Sequence, residues 1–392
     1  MHVFIVGSKG IPAAYGGYET FVDKLTEYQK EKQIQYHVAC AVDEQPADQE
    51  EFTYHGAHCF RIQWKKIGPA RAIVYDLEAI RWSLRYVKKH QIKDFIIYVL
   101  ACRIGPFING LKRRIHAAGG RLYVNPDGHE WLRAKWSLPV RRYWKLSERL
   151  MVKKADLLIC DSRNIETYIR KEYAGYHPNT TYISYGEETS LSVLEDNSGV
   201  FQNWLREKGL TAGEYYLVVG RFVPENNYET MIREFMKSHT QKAFALITNV
   251  GASFLRQLAE RTGYERDPRI RFVGTVYDQE LLKKIREQAY GYLHGHEVGG
   301  TNPSLLEAMG STKLNLLLDV GFNREVGMDG AVYWGKGDGE LASLIDRMDR
   351  ITPEERRELG RKARERIRKN YSWDDITDRY EELFIQKAGG VR

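Results

Sequence analysis

The sequence has few cysteines and no long apolar run. Its four cysteines are scattered without the spacing of metal ligands, so we expect reduced cytosolic thiols, mostly in the core. No apolar run is long enough to span a bilayer. The first seven residues are typical of a strand and a glycine loop rather than of a signal peptide. We therefore expect a cytoplasmic protein.

The length and the charge balance narrow the class of protein further. At 392 residues the chain exceeds one ordinary core, so two domains are expected. Lys and Arg total 59 against 52 Asp and Glu, a modest excess whose local placement matters more than its sum. There is no convincing internal repeat and no low-complexity tract.

The chain opens with a strand, a glycine loop and a helix. The strand is H-V-F-I-V at 2–6, and the amphipathic helix is predicted from Thr20. This order is the start of a doubly wound α/β domain. Gly16 and Gly17 stand just before the helix, where a phosphate can approach the backbone. The alternative is a purely structural turn. The loop lacks the G-x-G-x-x-G pattern, and this absence weakens the interpretation as a nicotinamide-binding site.

Strand-like and helical runs alternate along the rest of the chain, which predicts mostly parallel sheets. The predicted strands are 36–42, 58–63, 95–100, 121–125, 155–161, 182–186, 215–220, 243–248, 270–273 and 314–319. Helices are predicted at 72–90, at 200–208 and from Tyr228. A polar linker at 187–199 separates the domains. The predicted domains are 1–190, 200–370 and a C-terminal helix at 371–392 that packs back on the first domain.

The segment N-P-D-G-H-E-W at 125–131 follows a predicted strand. Ligands of open α/β sheets lie beyond the carboxyl ends of strands, so Asp127 and Glu130 are candidate catalytic residues and His129 is a weaker candidate. Asn-Pro and Asp-Gly are also turn dipeptides, so a purely structural turn is the alternative.

A basic stretch with interleaved aromatic residues occupies 131–154, where a single acid, Glu148, opposes the cations. Such a stretch suits an anionic membrane surface, a nucleic acid or a solvated helix face. The residues that we assign to a membrane or acceptor lipid are Arg133, Lys135, Trp136, Arg141 and Arg142.

The segment from His294 to Met309 predicts an anion site. Gly299 and Gly300 let the backbone approach a ligand, Thr301 joins them as a candidate donor-binding residue, and Asn302 is a good N-cap before Pro303. The helix that follows presents free N–H groups and a positive end. A carboxylate one turn further on repels phosphate, so we expect Glu307 to accept hydrogen bonds from a neutral diol such as a ribose. A capped structural helix is the alternative.

Three further residues of the second half are candidates for the nucleotide. Arg221 follows a predicted strand, where it is well placed to meet a diphosphate. The alternative is that Arg221 forms a surface salt bridge. Gly274 can present backbone groups to a base, with Tyr277 nearby for stacking.

Several segments resemble one family, in the family's order. They are Gly16–Gly17, A-D-L-L-I-C-D-S at 155–162, V-G-R-F-V-P-E at 219–225, F-V-G-T-V at 272–276, S-L-L-E-A-M at 304–309 and Y-S-W at 371–373. The chain resembles the retaining GT-B glycosyltransferases of glycosyltransferase family 4. Segments 8–21, 125–131, 225–230 and 298–309 resemble more narrowly the bacterial rhamnosyltransferases of capsule or rhamnose-rich cell-wall polysaccharide synthesis.

The resemblance implies two Rossmann-like domains facing across a cleft and transfer of L-rhamnose, with retention, from dTDP-β-L-rhamnose. The implied acceptor is glucose or N-acetylglucosamine on undecaprenyl diphosphate, joined by a β-1,4 linkage at the inner face of the cell membrane. Three positions depart from the broad family pattern. Gly299 replaces the first glutamate of the E-x7-E pair, Asn226 replaces a lysine, and Asp127 replaces a histidine. Because the histidine and first glutamate hold hydroxyls of the donor hexose, these changes fit a 6-deoxy sugar.

The sequence has no D-x-D motif, so we expect neither metal nor cofactor, and the diphosphate is expected to meet Arg221, backbone N–H groups and helix ends. Asn226 joins the expected donor-binding residues. One alternative is a glucosyl- or N-acetylglucosaminyltransferase that uses a UDP-sugar. Another is a non-catalytic relative that binds lipid or nucleic acid, although no nucleic-acid partner is expected.

Overall fold

The computed structural model describes residues 1–13, 16–43, 51–65 and 67–386. The chain forms two compact units. Unit 1 comprises Met1–Gly186 together with the chain from Trp373, and unit 2 comprises Glu187–Ser372. Unit 1 is therefore discontinuous in sequence.

Unit 1 is a mixed but mostly parallel sheet with crossover helices. Its described strands are β1 (His2–Val6), β2 (Gln35–Val42), β3 (Glu51–Tyr54), β4 (Ala57–Gln63), β5 (Phe95–Leu100), β6 (Gly120–Asn125), β7 (Leu157–Cys160) and β8 (Thr180–Tyr182). Its helices before the boundary are α1 (Gly17–Glu27), α2 (Arg71–Lys89), α3 (Ile108–Ala117), α4 (Leu138–Lys154) and α5 (Arg163–Glu172). The strand order is β3-β4-β2-β1-β5-β6-β7-β8, and only the β3–β4 pair among them is antiparallel.

Unit 2 repeats the plan with parallel strands. Its described strands are β9 (Tyr215–Val219), β10 (Ala243–Ile247), β11 (Ile270–Gly274), β12 (Gly291–His294), β13 (Asn315–Leu318) and β14 (Val332–Trp334), in the order β11-β10-β9-β12-β13-β14. Its helices are α6 (Gly199–Lys208), α7 (Tyr228–Lys237), α8 (Ala252–Thr262), α9 (Gln279–Glu287), α10 (Pro303–Ser311), α11 (Gly321–Gly327), α12 (Glu340–Met348) and α13 (Pro353–Asn370).

Both faces of the unit 2 sheet are covered. Along β9, Tyr216 and Val218 join one buried apolar cluster, while Tyr215 and Leu217 join another. Alternate residues of a strand point to opposite faces, so helices cover the sheet on both sides. This confirms the predicted α/β class with doubly wound sheets.

The last helix, α14 (Trp373–Ile385), belongs to unit 1. Its buried residues include Tyr380 and Phe384, whose rings lie 5.1 Å from Phe21 and 6.1 Å from Tyr98, centroid to centroid. An apolar face on this helix thus covers the sheet of unit 1. Within the described residues, no helix has both the length and the apolar character needed to cross a bilayer.

Two predictions of local structure need correction, and some strands were not predicted. The strand predicted at 182–186 is wrong, because β8 ends at Tyr182 and only the Ile183 amide continues the pairing, to Cys160 O at 3.0 Å. Helix α1 begins at Gly17 rather than at Thr20. Strands β3, β12 and β14 were not predicted. The first is a half-exposed edge strand, and the other two have only four and three residues, so none carries a long apolar run.

Candidate functional site

In each sheet the strand order reverses at one point, where ligands of open α/β sheets bind beyond the carboxyl ends of the strands. In unit 1 this point lies between β1 and β5, and in unit 2 it lies between β9 and β12. The residues that directly follow these strands, and those beside them, are therefore the candidates.

Asp127 lies in the turn after β6, the strand next to β5. Its amide donates a hydrogen bond to Asn125 Oδ1 at 2.8 Å. Asp127, Gly128 and His129 all have positive φ, at 62°, 76° and 56°. A Cβ on Gly128 would lie 2.2 Å from Ile165 Cδ1, so glycine is required there. The turn therefore fixes Asp127 in a backbone conformation that costs energy for a non-glycine residue, as is common at functional sites.

The environment of Asp127 shifts its pKa upward. Burial is the largest cause, and the charge of Glu130 adds to it, while Arg133, Arg103 and the neighbouring Tyr18 hydroxyl act in the opposite direction. A raised pKa makes the Asp127 carboxylate a stronger base, which favours the uptake of a proton from a bound hydroxyl.

Tyr18 was missed because the sequence placed the start of α1 too late. It lies in the first turn of that helix, and its hydroxyl is buried without a partner of ordinary hydrogen-bond geometry in the described part of the chain. Burial, followed by the charge of Asp127, raises the pKa of Tyr18 well above its usual value. The hydroxyl therefore stays protonated and is available as a donor beside Asp127.

Arg103 was also missed, although it follows β5 at the reversal point of the sheet. Its Nη1 lies 3.3 Å from both carboxylate oxygens of Asp76, and its Nη2 donates to Gly7 O at 2.9 Å. Asp76 is completely buried, and burial raises its pKa to about 6 against the opposing effect of Arg103. The pair holds a cation where β1 and β5 end. The signal that was overlooked is the one used for Arg221, a cation directly after a buried strand.

Glu130 is fully engaged with its neighbours. Trp136 Nε1 donates to it at 2.9 Å, Lys135 Nζ lies 3.0 Å away, and Arg133 forms an ion pair with its other oxygen. These contacts favour a role in positioning the Asp127 turn. A catalytic role for Glu130 stays a prediction.

His129 packs as an aromatic residue, with its ring 4.1 Å from that of Tyr168. Burial, followed by the charge of Lys145, lowers the pKa of His129. The ring is therefore neutral at pH 7.

The basic stretch divides between inward contacts and one exposed face. Arg141 Nε donates to Trp131 O at 2.7 Å, and Arg133, Lys135 and Trp136 are held by Glu130. Arg142 instead lies exposed on α4. The exposed apolar residues of this region are Phe107, Leu132, Leu138 and Leu146, of which Leu138 is 68% exposed.

In unit 2, two loops meet at the reversal point between β9 and β12. Asn226 Nδ2 donates to Arg221 O at 2.8 Å, and Asn226 Oδ1 lies 2.7 Å from His296 Nδ1. Asn226 therefore joins the loop after β9 to the loop after β12. The Arg221 side chain is exposed and forms no ion pair with any described residue.

The glycine loop leads directly into α10. Gly299 has φ 126°, and Gly299, Gly300 and Thr301 are buried. Asn302 Oδ1 accepts the Ser304 amide at 2.9 Å, which confirms the predicted N-cap, and Pro303 is the first helical residue. Ser304 Oγ donates to Val219 O at 3.1 Å, so the helix start lies against the end of β9. Backbone N–H groups and an exposed arginine thus converge here.

Glu307 lies one turn into α10 and is paired. Arg286 Nη2 forms an ion pair with Glu307 Oε2, and Arg286 is only 4% exposed. Glu187 lies close enough that the charge of Glu307, after burial, raises the Glu187 pKa to about 8. Neither Arg286 nor Glu187 was singled out from the sequence, because no local pattern links them to Glu307.

The remaining candidates are less firmly placed. Gly274 ends β11 with φ 82°, and its carbonyl accepts the Thr248 amide at 3.2 Å. Tyr277 is 72% exposed, so packing does not fix its ring.

A Cβ on Gly16 would lie 1.9 Å from a carboxylate oxygen of Glu19. An acid already lies at the start of α1, and this disfavours a phosphate near Gly16 and Gly17.

The described residues contain no group of three or more His, Cys, Asp or Glu side chains able to hold a metal ion. The expectation of metal independence stays a prediction from the sequence.

Comparison with known proteins places the fold. A family model described as a domain of unknown function, DUF1972, matches residues 1–188. No curated protein matches the chain.

Among solved structures, a sucrose-phosphate synthase from Thermosynechococcus elongatus is similar, with a TM-score of 0.80 and 19% identity over 98% of both chains. Anabaena HepE, solved with UDP and glucose, has a TM-score of 0.71 and 14% identity over 98% of this chain and 99% of its own. A glycosyltransferase from Rickettsia africae has a TM-score of 0.72 and 12% identity over 98% and 97%. These similarities confirm the GT-B fold.

Proposed function

We propose that the protein is a retaining, metal-independent glycosyltransferase that moves L-rhamnose from dTDP-β-L-rhamnose to a sugar on undecaprenyl diphosphate. The reaction belongs early in capsular or cell-wall polysaccharide synthesis. The GT-B fold and the nucleotide sugars bound by similar structures such as HepE, solved with UDP-glucose, support nucleotide-sugar chemistry.

One observation carries the proposal. The exposed Arg221 follows β9, and the capped start of α10 lies against the end of the same strand. A diphosphate at this point meets a guanidinium, the N–H groups of a helix start and the positive end of that helix. Glu307, one turn further on, accepts a hydrogen bond from a hydroxyl on the sugar ring of the nucleotide.

In the proposed reaction the bond from the rhamnose anomeric carbon to the leaving phosphate oxygen breaks, and negative charge builds on the diphosphate. Arg221 and the start of α10 stabilise that charge. The acceptor oxygen bonds to the same face of the anomeric carbon, which retains configuration. Its proton passes to Asp127 or to the leaving phosphate, with Glu130 as the reserve base.

The departures at Gly299 and Asp127 support a 6-deoxy sugar. Neither residue offers the long side chain that holds hexose hydroxyls in the resembled family, and L-rhamnose has no 6-hydroxyl to hold. Asn226, in the place of a lysine, joins two loops through its side chain, which leaves Arg221 as the main diphosphate contact.

The exposed face of α4 supports docking to an anionic membrane, where the lipid-linked acceptor resides. Leu138, Arg142 and Leu146 are spaced four residues apart, so they share one face, and Leu146 is 49% exposed. Apolar side chains beside cations suit an interface of anionic headgroups. A cytoplasmic protein bound peripherally to the membrane is the proposed location.

The test is a transfer assay with the full chain. The purified protein is incubated with dTDP-rhamnose and lipid diphosphate-linked glucose or N-acetylglucosamine, and the product is weighed by mass spectrometry. A gain of one deoxyhexose on either lipid is the expected result. No transfer to either lipid would refute the rhamnosyltransferase proposal.

A second candidate is a glucosyl- or N-acetylglucosaminyltransferase that uses a UDP-sugar, which the similarity to HepE favours. Competition between dTDP-rhamnose and UDP-sugars in the same assay separates the two. Transfer of a hexose in place of a deoxyhexose identifies the second.

A further inference from the structure

The Glu307 carboxylate, which the proposed function assigns to the sugar ring of the nucleotide, already holds a partner on one side. Its Oε2 is paired with Arg286, whereas its Oε1 has no hydrogen-bond partner among the residues described. The Glu307 side chain is 30% exposed. One oxygen is therefore open to a ligand and the other is engaged.

Arg286 is held in this position. It is 4% exposed at the end of α9, and its carbonyl accepts Thr312 Oγ1 at 3.0 Å. Separating a buried ion pair leaves an uncompensated charge, so Arg286 stays on Glu307 when a ligand arrives. The carboxylate cannot turn both oxygens to the ligand without that cost.

Glu187 completes the cluster. Because burial and the neighbouring Glu307 raise the pKa of Glu187 to about 8, its carboxyl keeps a proton at pH 7. Glu187 therefore adds no second carboxylate beside the ligand, and Oε1 is the oxygen of Glu307 that no described residue contacts by a hydrogen bond.

We propose that Arg286 makes the nucleotide site of unit 2 selective for 2′-deoxyribonucleoside diphosphates over ribonucleoside diphosphates. The inference rests on the proposed function. A ribose presents two neighbouring hydroxyls, which a free carboxylate accepts with one oxygen each. A 2′-deoxyribose presents only the 3′-hydroxyl, which Oε1 satisfies alone. A ribonucleotide brings a second hydroxyl proton that must compete for Oε1, because Arg286, itself a donor, occupies Oε2.

The test compares nucleotides that differ only in the 2′-hydroxyl. Dissociation constants of dUDP and UDP, and of dTDP and ribothymidine diphosphate, are measured by calorimetry on the full chain at pH 7. Each deoxynucleotide is expected to bind at least about fivefold more tightly, the low end of the cost of an unsatisfied buried hydroxyl.

Variants then assign the preference. Arg286→Gln removes the ion pair and shortens the side chain, so Oε2 of Glu307 is no longer held and the ratio of the two dissociation constants should fall toward one. Arg286→Lys should keep part of the preference. Lys283→Gln neutralises a cation on the same helix, whose nearest acid is Glu280 at 3.4 Å, and should leave the ratio unchanged. A purely structural role of Arg286 would change both affinities equally and leave the ratio alone.

The inference is overturned if the unmodified protein binds UDP as tightly as dUDP or more tightly. It is also overturned if Arg286→Gln keeps the full preference for deoxyribonucleotides. If Arg286→Gln does not fold, the ratio of the dissociation constants for the unmodified protein and for Arg286→Lys still tests the inference. Failure of all four nucleotides to bind is a distinct result, because it refutes nucleotide binding by unit 2 and with it the proposed function.

Discussion

The two units place different chemistry at the same position of the same kind of sheet. At the reversal point of unit 1, Arg103 is held by a buried aspartate and Asp127 sits in a turn that only glycine at position 128 permits. At that of unit 2, a glycine loop and the start of α10 present backbone groups beside an exposed arginine. Titratable side chains dominate the first, and backbone N–H groups dominate the second.

This difference separates two tasks. A half-buried carboxyl with a raised pKa suits the movement of a proton, whereas helix N–H groups and an exposed guanidinium suit the binding of an anion. Loops beyond the strands, rather than the sheets, decide which task each unit performs. Variants that affect one task and spare the other test the comparison.

The largest expected effect is at Asp127. In the rhamnosyl transfer assay, Asp127→Asn should lower kcat at least about a hundredfold, the low end for loss of a general base, while nucleotide affinity stays unchanged. The thermal transition should remain close to that of the parent. Asp94→Asn, at a 54% exposed aspartate of unit 1, is the control. A near-normal kcat of Asp127→Asn would show that Asp127 takes no part in the chemical step.

The next effect is at Arg221 and concerns unit 2. Arg221→Ala should weaken dTDP binding by about 10- to 100-fold, as expected for loss of a hydrogen bond to a charged group. Calorimetry measures it, with the exposed Arg256→Ala of α8 as the matched control. Unchanged affinity would mean that the helix start alone holds the diphosphate.

The free energy of unfolding should fall at acidic pH because of one buried histidine in each unit. Burial lowers the pKa of His37 in unit 1 and of His294 in unit 2 to about 3. Unfolded histidines bind protons below about 6.5 and these folded ones do not. Their contribution to stability is therefore complete above pH 6.5 and falls as the pH drops from there toward 3, by up to about 1.4 kcal/mol per pH unit for each histidine.

His37→Phe should reduce this acid loss, since the His37 ring already stacks on Phe4 with centroids 4.2 Å apart. The measurement is the thermal transition at pH 7 and pH 5, with His239→Gln, at a histidine whose side chain is 89% exposed, as the control. An equal drop between the two pH values in His37→Phe and the parent contradicts the assignment.

The smallest effect is expected on the exposed face of α4. Arg142→Gln should weaken binding to vesicles rich in phosphatidylglycerol by about fivefold, from about 1 kcal/mol per cation near an anionic surface. Cosedimentation measures it, with neutral phosphatidylcholine vesicles and the exposed Lys171→Gln as controls. Equal binding of both vesicle types would argue against the membrane proposal.

The sequence predicted those parts of the fold and site that local chemistry determines. Strand β5 is buried along its whole length and reads as a continuous apolar run, and Asn302 before Pro303 is a local cap signal. The turn around Asp127 was likewise indicated by its turn dipeptides. Each of these depends on residues close together in the chain.

The sequence did not predict pairings between distant segments. Asp76 and Arg103 are 27 residues apart, and Arg286 and Glu307 are 21 apart. No periodicity relates the members of either pair, and only the folded sheet brings them together. The error at the start of α1 had a similar effect, because it removed Tyr18 from consideration.

The discontinuity of unit 1 has a consequence for synthesis of the protein. The helix that covers Tyr98 and Phe21 is translated after the whole of unit 2. Until the ribosome completes the chain, those aromatic rings of unit 1 remain uncovered. Exposed apolar surface of this kind is prone to aggregation. Loss of the last helix by a premature stop codon would make that state permanent, although all the described strands of both sheets would still be present.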